Sequence, residues 1–130
     1  MSKLRIGLFP QFKGKDSVLL EGTHEEIGLL ASRLNEFGQS QESELPVHAE
    51  ANVSERHPVQ LFAVRQPSCT GSGAGQRWLC SVKELPAIGE KLEALVLFSS
   101  GHQYFTLENA SVQLVISVGE YGESWWRAHG

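Results

Sequence analysis

The sequence predicts an α+β fold: a mostly antiparallel sheet of about six or seven strands with two principal helices packed on one face. Three observations predict it. Apolar residues alternate at Leu4, Ile6 and Leu8 and again at Val112, Leu114, Ile116 and Val118, which marks strands, because successive strand side chains point to opposite faces. Apolar residues fall at helical spacing at Ile27, Leu30, Ala31 and Leu34, and at Leu85, Ile88, Leu92, Leu95 and Val96, giving two amphipathic helices. A chain of 130 residues has room for one core and not comfortably for two, so residues 1–130 are expected to form a single domain.

The elements follow in order. Residues 3–9 read as a strand that Pro10 ends, and Lys13-Gly14-Lys15-Asp16 as a polar turn into a second strand carrying Val18, Leu19 and Leu20, the two forming a hairpin. Thr23-His24-Glu25-Glu26 has the spacing of a capping box, in which the Thr hydroxyl and the Glu carboxylate each accept from the other's amide. Phe37-Gly38 is expected to close that helix, with Gly38 in the left-handed conformation. From Gln39 to Arg56 the composition turns polar, with a weak alternating piece at residues 46–50 that reads as an edge strand able to dimerise. Residues 59–64 make another strand. The Gly-rich stretch at 67–76 has no Gly-Lys-Ser/Thr ending and leads into a strand at 77–82. It is therefore read as a hairpin loop, since a phosphate loop opens a helix. Pro86 is tolerated in the first turn of the second helix, residues 84–98. The strands at 102–107 and 112–118 make a second hairpin around Glu108-Asn109. Strand, strand, helix and strand thus recur in both halves, with Ile27-Gly28 in one helix matched by Ile88-Gly89 in the other.

The formal net charge of −4 argues against direct nucleic-acid binding, whose footprint is usually basic. There is no signal-peptide apolar region and no run near the ~18 apolar residues of a membrane span. A cytoplasmic protein with no membrane partner is expected, and Cys69 and Cys80 are expected to stay reduced. None of the five His residues stands at metal-ligand spacing from another, so no metal site and no cofactor is predicted. His24 belongs to a helix first turn and His129 to the terminus. His102 begins a strand within spatial reach of Glu108 or Glu120; an enzyme using it would need a positioned partner. No nucleophile elbow surrounds any Ser, and nothing near Cys69 lowers a thiol pKa. No catalytic residues are therefore assigned, and a non-enzyme is expected.

Binding is better represented. Residues 36–55 hold Glu36, Glu42, Glu44, Glu50 and Glu55 and no Lys or Arg. They form either a solvated loop or an acidic face for a basic partner. Near the C-terminus stand Glu120, Tyr121, Glu123, Trp125 and Trp126. Adjacent helical residues are about 100° apart, so one Trp is expected in the core and the other at a rim or contact.

Val18-Leu19-Leu20-Glu21-Gly22-Thr23 running into a helix with Leu29-Leu30-Ala31 and Leu34, followed by Gly101-His102-Gln103-Tyr104-Phe105, Leu114-Val115-Ile116 and Trp125-Trp126, resembles the small immunity proteins of bacterial polymorphic-toxin systems. Among these the likeness is to the thirty-second immunity family. It spans the first helix unit and residues 101–130. The resemblance implies a cytoplasmic antidote that binds one cognate toxin domain and blocks its active site without catalysis of its own. A basic nuclease-type toxin suits the acidic chain, with Glu42, Glu44, Glu50, Glu55, Glu120, Tyr121, Glu123 and Trp126 as the partner-binding residues. The alternative is a small ligand-binding or regulatory domain, or an inhibitor of another nucleic-acid enzyme.

Overall fold

The structure, a computed structural model, describes residues 4–67, 75–98 and 100–130. Strands β1 (Leu4–Phe12) and β2 (Lys15–Gly22) form the expected hairpin. Lys13 and Gly14 turn it with φ of 55° and 82°, the positive values that match a two-residue turn to the strand twist. Pro10 does not end β1. The register shifts between Phe9 and Phe12, and such a bulge leaves a residue unpaired, so a ring without an N–H costs no ladder bond.

Helix α1 (His24–Gln39) opens on the predicted capping box. Thr23 Oγ1 accepts from the Glu26 amide at 3.2 Å and Glu26 Oε1 accepts from the Thr23 amide at 2.8 Å. Its other end differs from expectation. The helix continues through Gly38 and is capped by Ser40 in extended backbone. Gly38 serves packing instead: a Cβ there would stand 2.3 Å from Leu85 Cδ1. Arg65 closes the helix, donating to the carbonyls of Phe37, Gly38 and Ser40 and placing a cation at the negative end of the helix dipole.

Next come β3 (Glu44–Pro46), a 3₁₀ turn (Val47–Glu50) and β4 (Ala51–Val53). The edge strand expected at 46–50 is thus a turn after Pro46, and residues 47–50 offer no strand edge for dimerisation. Val47 turns into the core, and His48 Nδ1 accepts from the Leu61 amide at 3.1 Å, standing in for a ladder carbonyl. Then follow β5 (Leu61–Val64), β6 (Gln76–Leu79), α2 (Leu85–Leu97), β7 (Gly101–Thr106), β8 (Val112–Val118) and α3 (Glu123–His129). Residues 68–74, most of the predicted Gly-rich hairpin loop and with them Cys69, lie outside the described residues. Cys80 is a buried free thiol, its pKa pushed up to about 12 by burial and then by Glu84.

The described residues form a mixed α/β fold with eight strands in two sheets and three helices. The main sheet has the order β4-β1-β2-β8-β7, and a smaller one the order β3-β5-β6. This corrects the single, mostly antiparallel sheet. The hairpins expected at residues 3–22 and 102–118 are antiparallel, but they join through a parallel β2–β8 pair, and β1–β4 is parallel too. So is β5–β6, so the strands on either side of the Gly-rich stretch do not form the expected hairpin, whose strands would have to be antiparallel. In register, Val18 and Leu20 stand beside Leu114 and Ile116, and these four share a core with α1, α2 and the small sheet. Leu19 and Val115 face the other way and pack under α3. Two helices cover one face as expected; the third covers part of the other.

Candidate functional site

The α3 face of the main sheet gathers the residues with chemistry. Strand alternation places Ser17, Leu19 and Glu21 of β2 beside Gln113, Val115 and Ser117 of β8, and these beside Thr106, Tyr104 and His102 of β7. Trp126 is 8 % exposed and packs with Phe9, Leu19 and Val115. Around it stand Phe12, Tyr121 and Trp125, each half-buried. Ring centroids are 4.9 Å apart for Tyr121 and Trp125, 5.4 Å for Phe12 and Tyr121, and 5.2 Å for Phe9 and Trp125. The last two are edge-to-face, and such pairs add about 0.5–1.5 kcal/mol each beyond burial. Tyr104, 42 % exposed, carries the face onto β7.

Beside the aromatics runs a polar chain. Glu21 is buried, and its carboxylate accepts from Ser117 Oγ at 2.6 Å, the Gly119 amide at 2.9 Å and the Tyr121 amide at 3.3 Å. Gly119 turns there with φ of 69°, which glycine adopts without strain. Burial raises the Glu21 pKa, against the opposing pull of Ser117 and the two amides. Ser117 Oγ also lies 3.1 Å from Glu120 Oε1, and His102 Nδ1 faces the two Glu120 oxygens at 2.9 and 3.0 Å. Lys13 completes the rim: slight burial lowers its pKa, but Tyr121, within hydrogen-bonding reach, with Tyr104 and Glu120, raises it above the ordinary value. The chain links Glu21 through Ser117 and Glu120 to His102. It fixes the β8–α3 turn and orients the imidazole.

No family model, curated protein or solved structure matches the chain.

The predicted contact residues divide in two. Glu120 and Tyr121 lie on the α3 face with His102 and Lys13, and Glu123 opens α3, where it ion-pairs with Arg127 at 3.6 Å. Trp126 is the core member of its pair; Trp125 is the rim member, which adjacency in sequence does not reveal. Glu42, Glu44 and Glu50 stand elsewhere, whereas Glu55 lies between Ser54 and Arg56, which donate to the carbonyls of Gly130 and Ala128 at the end of α3. Glu44 faces Arg77 at 3.8 Å and Glu50 ion-pairs with Arg33, so two of these charges are matched by cations. Glu42 and Glu55 are exposed. His102 pairs with Glu120, whereas Glu108 lies 3.5 Å from Arg77. Sequence reasoning missed Glu21, Tyr104, Phe12 and Lys13. Glu21 carried a signal, being a lone carboxylate directly after the apolar run Val18-Leu19-Leu20. Among the described residues, no group of three His, Cys, Asp or Glu is placed to hold a metal ion, and no helix is long and apolar enough to cross a membrane.

Proposed function

We propose that the chain is an immunity-type inhibitor that binds a cognate bacterial toxin domain through the α3 face of its main sheet. The observation that carries this reading is the aromatic rim: Trp125, Tyr121 and Phe12 are half-buried around a core already filled by Trp126, and Tyr104 extends them. Tyr and Trp held rigidly at a surface supply large contact area at little entropic cost, the chemistry of interface hot spots. Glu120 and Glu123 flank the rim, and the net charge of −4 steers a basic toxin domain toward the chain. Glu42 and Glu55 add to that long-range attraction.

The test is to read the gene immediately upstream and co-express the chain with the C-terminal domain that it encodes. A stable complex on size-exclusion chromatography, with toxicity silenced, supports the reading. Trp125→Ala and Tyr121→Ala should each weaken it by roughly 30-fold, the scale of a hot-spot residue. Failure to associate, with toxicity intact, removes it.

The ligand-binding alternative has one observation of its own. A cavity of about 360 Å³ opens where β2 and β8 end, lined by Arg5, Glu21, Thr23, His24, Glu26 and Tyr121, a size within the ~300–1,000 Å³ range of ligand pockets. A small molecule retained through purification and lost on Arg5→Ala would favour this alternative.

A further inference from the structure

The two long helices run antiparallel and approach each other at both ends. Gly38, late in α1, meets Leu85 at the start of α2, and Val96, late in α2, lies 3.8 Å from where a Cβ would sit on Gly28, early in α1. Along the pair runs a solvent-open groove of about 630 Å³ with an apolar floor that includes Leu34, Ile88, Leu92 and Val96. A trough between two helices is the shape that receives a third, whose ridge of apolar side chains settles into it.

Gly89 lines that groove. A Cβ on it would meet nothing within 4 Å, so packing does not require a glycine there, although glycine inside a helix is less favourable than alanine. What its missing side chain does is keep the groove open. Charge then selects the occupant. Glu90 and Glu93 are the charged residues of the lining. Each helix has one Lys or Arg, and both are engaged elsewhere: Arg33 pairs with Glu50, and Lys91 donates to the Tyr104 carbonyl at 2.6 Å.

We propose that the α1–α2 groove docks an amphipathic α-helix of a partner protein, with apolar residues inserted and Lys or Arg along its flanks. The groove lies across the main sheet from α3, so the proposal does not depend on the toxin contact, and both faces can be occupied together.

The probe is a synthetic helical peptide of about four turns with leucines at i, i+3, i+4 and i+7 and flanking lysines, compared with a twin carrying glutamates in place of the lysines. Amide shifts in the NMR spectrum of the full chain report where each binds. The lysine peptide should move Gly38, Gly89 and Val96 and bind at least about tenfold more tightly than its twin. Gly89→Leu, which fills the groove, should lose about tenfold in affinity with its thermal midpoint kept or raised. Paired Glu90→Lys and Glu93→Lys should reverse the preference between the peptides. Equal affinities, shifts confined to the α3 face, or no shift at millimolar peptide overturns the proposal. So does a concentration-dependent dimer that Gly89→Leu abolishes, which would give the groove to a second copy of this chain.

Discussion

Glu21 shows how a single carboxyl is placed by its neighbours. Strand alternation turns it to the α3 face at 6 % exposure, and burial raises its pKa above the ordinary 4.5. A serine hydroxyl has one hydrogen, so Ser117 can donate to only one of the two carboxyls it touches. Burial of Glu21 disfavours its charged form more than Ser117 and the two amides favour it. The folded chain thus holds a proton that the unfolded chain releases sooner. Stability from this group is fullest below pH 4.5 and falls as pH rises through the raised folded value. Glu21→Gln should cost about 1 kcal/mol at low pH, where the Tyr121 amide loses its acceptor. The difference from wild type should shrink as pH rises. Urea unfolding between about pH 4 and pH 8 checks this; a pH-independent difference contradicts it. The apolar run before Glu21 was legible in sequence, but its partners were not, because Ser117, Gly119 and Tyr121 lie about a hundred residues away.

At the scale of elements, α3 and the α1–α2 pair make opposite use of neighbouring residues. Trp126→Ala opens a cavity beneath α3 and should cost about 3–5 kcal/mol, whereas Trp125→Ala removes a half-buried rim side chain and should cost about 1–2 kcal/mol. Chemical denaturation checks the pair, and equal losses would show that the two side chains share the core contact. In the helices, Gly89→Ala should stabilise by up to about 1 kcal/mol, since the new methyl meets open space. Gly38→Ala should destabilise by about 1–3 kcal/mol, because Leu85 must move to admit a Cβ. Thermal midpoints of both variants decide this, and a gain at Gly38 would show that Leu85 yields freely. The elements themselves were largely legible where their signals are local. Thr23 and Glu26 announced α1, and alternation announced β1, β7 and β8. Boundaries failed where a distant group intervened: Arg65 carries α1 past Gly38, a bulge carries β1 through Pro10, and His48 holds a turn where alternation suggested a strand.

For the whole molecule, pairing was the hidden quantity. Val18-Leu19-Leu20 and Leu114-Val115-Ile116 are unbroken apolar runs, the mark of central strands buried on both faces, yet nothing local says that they lie parallel side by side. That parallel contact joins the two hairpins into one sheet, and α3 then covers one of its faces while α1 and α2 cover the other. It also explains the candidate site, since Glu21 and Ser117 meet only because β2 and β8 are neighbours in that register. The same arrangement separates Glu120, Tyr121 and Trp125 from the Arg-matched Glu44 and Glu50, while Ser54 and Arg56 bind the end of α3. We propose the α3 face as the surface that binds a toxin domain. Hydrogen exchange of the chain, alone and in complex with that domain, locates the contact. Protection gained along β7 and across Gly119–Arg127, with residues 42–50 unchanged, is the predicted result; protection confined to residues 42–50 would contradict it.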